Sequence, residues 1–291
     1  MYIFRKHLIG GNMKRIFKGI VFILILCVFI YSGFQLFSIL NMRKEAGDAY
    51  KGLDGFVQLA PTQNDEVLNE AEDDEDKPFT RQLEVDFESL KATNPDFIGW
   101  LYLVDDDIIN YPVVQGEDNL YYLDHLFDGK KNANGTLFLD YRNQGDFSDA
   151  NSIIYGHTMQ SKAMFHNLRK FKKQDYYEQH PYFLLELPDK EYKLEVFATY
   201  TTTAISDAYV FNFNHETGII TYADGTTEMS YEYDDSIPTF DVWYKNVMNK
   251  NLLTTDVKVT EEDRIVTFSC CDYVFDNARF VVHCKIVDTN A

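Results

Sequence analysis

The chain has 291 residues, 45% of them hydrophobic, with 20 Tyr, 23 Phe and a formal charge of −19. That is enough apolar material for one large domain or two small ones, and it is rich in residues that favour strands. The charge excludes nucleic acid as the principal partner, because phosphate binding needs a cationic face.

The negative charge is unevenly distributed. Arg5, Lys6, Lys14, Arg15 and Lys18 are unopposed by any acid in the first 40 residues, so the remainder is more acidic still. Residues 19–42 carry no charge. As a helix, a stretch of that length rises about 36 Å, enough to cross a hydrocarbon core of about 30 Å. The cation bias predicts residues 1–18 in the cytoplasm, a single-pass signal anchor over 19–42, and the body outside the cell membrane. The alternative is a cleaved signal peptide, for which the stretch is long and Ser32-Gly33 a poor cleavage site. Met13, preceded by Gly10-Gly11, is an alternative start. Residues 43–79 read as an acidic linker, since 64–77 contain eight acids and little to bury.

Residues 80–291 form the expected catalytic domain. Thr80 can cap a helix bearing Leu83, Phe87 and Leu90 on one face, closed by Asn94-Pro95. Strands are predicted over 99–104 and 108–115, around an acidic turn, with Pro112 marking an edge or bulge. A short helix over 118–127 follows, then strands over 135–141 and 151–155, the latter ending at Gly156-His157. Phe165, Leu168 and Phe171 have helical spacing. Residues 182–187 and 192–202 form a hairpin across Pro188-Asp189-Lys190. The polar segment 205–238 holds a second hairpin, 218–222 with 227–233, across Asp224-Gly225. Thr239 caps a helix over 240–249, and strands over 264–271 and 279–287 complete the chain. Many short strands without β-α-β alternation point to a closed or nearly closed β-barrel with peripheral helices.

The cysteines supply the candidate chemistry. Beyond Cys27 in the apolar stretch, Cys270, Cys271 and Cys284 are an odd number and form no disulfide framework. No CxxC or HExxH suggests zinc. Cys271 lies where a strand meets a turn, and strand alternation sends Cys270 to the opposite face. Adjacent Cα atoms, about 3.8 Å apart, are too close for a relaxed disulfide between them. A cysteine nucleophile needs a base or cation to favour thiolate, and donors for the oxyanion. Of seven histidines, His157 follows an apolar strand and a glycine, which projects its side chain from a rigid edge. Arg279 can return beside the thiol, or serve only as a cross-strand partner of Asp272 or Asp276.

TFSCCDY followed by Arg279 resembles the active-site strand of the sortases, TLxTC with an arginine on the next strand. NSIIYGHT around His157 is similar to the family's histidine segment. NPDFIGWLYL, INYPVVQ, DNLYYL, GTLFLDYRN and FVVHCKIV resemble class B sortases in order and spacing, over about residues 80–287. The helix before the cysteine strand also points to class B, and the lid and second span of pilin-polymerising enzymes are not evident. The resemblance implies an eight-stranded sortase β-barrel and a membrane-anchored cysteine transpeptidase. Cys271 would attack the threonine carbonyl of a C-terminal sorting signal on a surface protein and form a thioacyl enzyme. His157 would move the proton, Arg279 would hold the oxyanion, and Ser269 and Asn119 would line the peptide groove. A peptidoglycan precursor amine would resolve the intermediate, with no metal or organic cofactor. Phe268 and Cys270 depart from the family's leucine and threonine. Two other readings remain open on the same barrel: an extracellular cysteine protease with water as acceptor, and an inactive binding domain. The sorting motif, the anchored protein and the oligomeric state are not legible.

Overall fold

Side-chain alternation on a ring of strands separates a packed interior from a functional exterior. A computed structural model describes residues 3–59, 83–104, 106, 109–159, 161–213, 219–221, 227–229 and 237–289. The chain divides into two units, Met1–Asp48 and Ala49–Ala291.

The first unit is helical. Helix α1, Ile3–Lys51, carries the uncharged stretch, and side chains such as Phe22, Ile25, Phe29 and Phe37 are exposed. Among the described residues it is the one helix long and apolar enough to cross a membrane.

The second unit begins within the last turn of α1, upstream of the expected domain start at 80. Leu53 is buried with Leu83, Leu90 and Trp100, and Phe56 and Val57 pack against the same cluster. Strand β1, Val57–Leu59, pairs antiparallel with β2, Leu83–Val85. The expected linker over 43–79 thus starts as helix and packed strand, because Leu53, Phe56 and Val57 supply apolar surface that its acid-rich part lacks. The acid run at 64–77 and Thr80 lie outside the described residues.

Helix α2, Phe87–Thr93, starts later than predicted. Its cap is Asp86, whose carboxylate accepts from the Ser89 N–H at 3.0 Å. Leu83 is in β2 instead, because Asp86 is a stronger stop than any residue before it and satisfies an orphan helix donor. Asn94 ends the helix as expected.

Eight strands then close a barrel: β3, Phe97–Leu103; β4, Asn110–Val114; β5, Leu137–Leu139; β6, Asn151–Tyr155; β7, Tyr182–Glu186; β8, Glu191–Thr203; β11, Ile265–Cys271; and β12, Ala278–Asp288. The order is β11-β12-β8-β7-β3-β4-β5-β6, closed by parallel pairing of β6 with β11. Strands β9, Ile219–Thr221, and β10, Thr227–Met229, form the separate hairpin expected in the polar segment. Pro112 is on no edge: it pairs with Trp100 on β3 and just precedes the two residues of β4 that pair with β5. Its missing N–H therefore removes no bond from the β5 ladder.

Two predicted helices are only 3-10 turns, Tyr121–Leu123 and Asn167–Lys172. Phe165, Leu168 and Phe171 are nevertheless fully buried. Their spacing reports one buried face, which a short turn satisfies as well as a helix. Helix α3, Gln174–Gln179, follows the second turn.

Leu101 and Leu103 point into the barrel with Val266, Phe268, Phe280 and Val282. Trp100 and Tyr102 point outward into the cluster around α2. Helix α4, Phe240–Lys250, lays Phe240, Trp243 and Val247 on the outer face of β8 and β12, against Phe197, Tyr200 and Val281. Its cap is Thr239, as predicted. Trp243 is fully buried and donates its indole N–H to the Asp207 carbonyl at 2.9 Å. Truncating such a side chain to alanine costs about 3–5 kcal/mol.

Candidate active site

Outward-facing residues of β11 and β12 and the end of β6 converge on one groove. On β11, Val266, Phe268 and Cys270 face the interior. Thr267, Ser269 and Cys271 therefore face outward. Cys271 is half-buried at the strand's end, and its register partner on β12 is Arg279. Directly opposed residues of an antiparallel pair share a face, with Cβ atoms about 4.5–5.5 Å apart. One Arg279 N–H is donated to the Ala278 carbonyl at 3.0 Å.

His157 arrives from the other neighbour of β11. Tyr155 is the register partner of Ser269, and the Gly156 N–H continues the pairing to the Ser269 carbonyl at 3.1 Å. A Cβ on Gly156 would clash with the buried side chains of Leu137 and Phe165, so glycine lets the chain leave β6 here without displacing either. His157 Nε2 is 2.6 Å from the Leu123 carbonyl. A carbonyl only accepts, so Nε2 carries a proton, and in the neutral ring the lone pair is on Nδ1.

The groove, about 270 Å³, is lined by Cys271, His157, Arg279, Ser269 and Asn119, with Leu123, Phe138, Tyr155 and Tyr209 among the other wall residues. All five residues singled out in the sequence are thus brought together. Ser269 is buried, and its hydroxyl bonds the Tyr209 hydroxyl at 2.9 Å. Burial raises the Tyr209 phenol, against the Ser269 hydrogen bond and the Arg279 charge. Asn119 donates to Asp140 at 2.8 Å and accepts from the Tyr141 N–H at 3.0 Å. Asp140 is fully buried and also accepts from Tyr155 at 3.0 Å and from Arg142 through two bonds of 2.8 and 2.9 Å. Burial pushes its carboxyl up, but Arg142, Asn119 and Tyr155 together hold it below the usual carboxylate range.

Cys270 is different from its neighbour. It is buried in the barrel, and burial pushes its thiol up to about 12. It also borders the groove floor. A thiol held protonated is a poor nucleophile.

Sequence reasoning missed the residues that brace this arrangement. Thr158 donates to the Cys271 carbonyl at 2.6 Å, and Tyr273 donates to the Thr158 carbonyl at 3.3 Å. Asp272 accepts from Lys172 at 2.6 Å and Thr201 at 2.8 Å, which fixes the turn after Cys271. Thr158 and Asp272 adjoin His157 and Cys271 in sequence, and that adjacency was the one available signal. Leu123 and Asp140 lie in the quoted DNLYYL and GTLFLDYRN segments, which gave no role to either, and Tyr209 had no signal at all.

A closed eight-stranded barrel with a cysteine, histidine and arginine around an exterior groove defines a cysteine transpeptidase of the sortase type. No family model matches the chain. The chain is 36% identical over 200 residues to Sortase B of Listeria monocytogenes, covering 68% of this chain and 72% of the relative. Identity to Sortase B of Staphylococcus aureus is 29% over 280 residues, 95% of this chain and 98% of the relative. A solved Staphylococcus aureus sortase B–substrate complex superimposes with a TM-score of 0.58 at 31% identity, covering 69% of this chain and 84% of that one. The chain belongs to the class B sortases.

Proposed function

We propose that this enzyme cleaves a C-terminal sorting signal after threonine and transfers the protein to a peptidoglycan amine. The observation that carries the reading is the pairing of Cys271 with Arg279 across one register position, beside a histidine on the adjacent strand. The Cys271 proton passes to His157 Nδ1, and Sγ attacks the threonine carbonyl carbon. Arg279 donates to the resulting oxyanion. The C–N bond breaks, the leaving amine takes the Nδ1 proton, and a thioester remains on Cys271. The incoming amine attacks the thioester and gives its proton to Nδ1. An amide forms, the thiolate leaves and regains that proton.

Ser269 and Asn119 line the groove that would hold the peptide. Peptide substrate and amine acceptor are in keeping with relatives solved as a substrate complex and as a complex with triglycine. Residues 1–18 lie in the cytoplasm, 19–42 span the membrane, and the catalytic unit works outside, on the reading of the cation bias and the apolar helix. The enzyme needs no cofactor in this scheme.

Turnover of a sorting-signal peptide with an added amine tests the proposal, with products identified by mass spectrometry. Cys271→Ala and His157→Ala each abolish turnover, Arg279→Ala lowers it by about 10²-fold or more, and Cys270→Ala largely preserves it. Full activity in Cys271→Ala overturns the assignment. Hydrolysis alone with every amine offered makes the enzyme a protease instead.

A further inference from the structure

Tyr50, in the last turn of α1 and inside the second unit, lies behind the segment that carries His157. Its hydroxyl donates to the Gly135 carbonyl and is 3.0 Å from Thr136 Oγ1. Gly135 has a φ of +61° and is closely enclosed: a Cβ there would be 2.9 Å from the Leu123 carbonyl oxygen and 3.1 Å from His157 Cδ2. That Leu123 carbonyl is the one that holds His157 Nε2. The Cα side of Gly135 thus lies against both the histidine ring and the carbonyl that the ring binds, and Tyr50 holds the Gly135 carbonyl from behind.

The ring of Tyr50 begins a longer chain of contacts that ends at the residue after His157. It packs edge-on against Tyr111, with centroids 5.4 Å apart. The Tyr111 hydroxyl accepts from the Met164 N–H at 3.3 Å, and Met164 is bridged to Thr158, the residue after His157. Met164 has a φ of +55°, a conformation that bulky residues rarely adopt and that needs outside support. One side chain therefore touches Gly135, against the His157 ring, through its hydroxyl, and Tyr111, which braces the segment after His157, through its ring.

We infer that Tyr50 is a positioning residue for His157, and that the working active site begins at the end of the N-terminal helix instead of at the barrel's first strand. The inference rests on the reading of His157 as the proton carrier. Tyr50 touches no reacting atom. It acts by keeping the Leu123 carbonyl and the Gly135 backbone in register, so that the imidazole stays an Nε2–H tautomer with Nδ1 toward the thiol. Proton transfer depends steeply on such placement, whereas binding of a peptide in the groove does not.

The test uses the full chain in detergent micelles, as wild type, Tyr50→Phe, Tyr50→Ala and His157→Ala. Tyr50→Phe keeps the ring on Tyr111 and removes only the hydroxyl. It is expected to lower kcat about three- to tenfold while KM for the sorting peptide stays within about twofold. In ¹⁵N-histidine spectra, the His157 signal, assigned by its loss in His157→Ala, moves from an Nε2–H pattern toward averaged tautomers. Tyr50→Ala gives the larger change in both readouts. Unchanged kcat and an unchanged His157 signal in Tyr50→Phe overturn the inference, and so does a lower Tm with neither readout altered. Retained activity in His157→Ala instead removes the proposed role of the histidine, while the spectral comparison still decides whether Tyr50 positions its ring.

Discussion

His283 lies fully buried on the outer face of β12, under α4, and its hydrogen bonds run in one direction. Thr267 donates to Asn151 at 2.7 Å, so the 2.8 Å contact from His283 Nδ1 to Thr267 must be N–H to oxygen. In the neutral ring, Nε2 then accepts from the Tyr200 hydroxyl at 3.0 Å. A neutral imidazole satisfies every member of the chain. Burial, with Lys250 adding to it, pushes the pKa down to about 3. An unfolded histidine titrates near 6.5, so between these values the unfolded chain binds a proton that the folded chain refuses. Stability therefore rises with pH across this window, and is lost as pH falls from about 6.5 toward 3. The contribution is on the order of 5 kcal/mol over the whole window. Chemical denaturation of wild type and His283→Gln at pH 7 and pH 4.5 checks this: the wild type's advantage shrinks at the lower pH. A constant difference counts against the neutral-histidine chain.

The short connection from β11 to β12 sets where the thiol points. Its first residue, Asp272, is buried, and the Asp272 N–H bonds the Ala278 carbonyl at 2.9 Å, closing the turn. Burial raises the Asp272 carboxyl, but Lys172, Thr201 and the Tyr273 N–H outweigh it and hold it below the ordinary range. A depressed carboxylate stabilises the fold above its unfolded pKa, and the contribution is lost as pH falls through the folded pKa. Asp272→Asn weakens these charge-assisted bonds, and a cost of about 1–3 kcal/mol is expected. Thermal unfolding should show a lower Tm at pH 7 and a smaller drop than wild type on acidification below pH 4. An equal acid-induced drop in the two proteins would remove Asp272 from the account. The apolar tip beyond it, Tyr273, Val274 and Phe275, is exposed and packs little. Order in this connection thus comes from its polar base and from the Tyr273 hydroxyl on Thr158.

At the scale of the molecule, the second unit includes eleven described residues, 49–59, that composition would discard as linker. Leu53 is buried in the cluster around α2, and β1 gives β2 its ladder partner. A chain beginning at residue 49 should therefore unfold well above one beginning at residue 60. The loss of one buried leucine, about 2–5 kcal/mol, corresponds to a Tm difference of about 5 °C or more. Scanning calorimetry on the two chains measures it directly. Equal Tm values would mean that β1 adds nothing to the barrel. Packing thus extends upstream of the expected start at 80, and the sequence hides it for a physical reason. Tyr50, Leu53, Phe56 and Val57 are too few and too near the acid run to look like a packed segment, and their partners are tens of residues away.

Much of the catalytic strand was legible because alternation is local. Period two alone separates Cys271 from Cys270, and one turn returns Arg279 to its register partner. The apolar length of α1, the capped stripe of α4, and a strand ending in Gly156-His157 are also short-range patterns, readable without partners. Closure of the barrel was not legible in this way. Parallel pairing of β6 with β11 joins residues more than a hundred positions apart, and nothing in either strand names the other. That pairing carries His157 to the groove that Cys271 lines, while other long-range contacts bring the Leu123 carbonyl to its Nε2 and Tyr50 to Gly135. Local sequence determined which side chains carry the chemistry. Long-range backbone pairing, whose partners no local pattern specifies, decided how they are held.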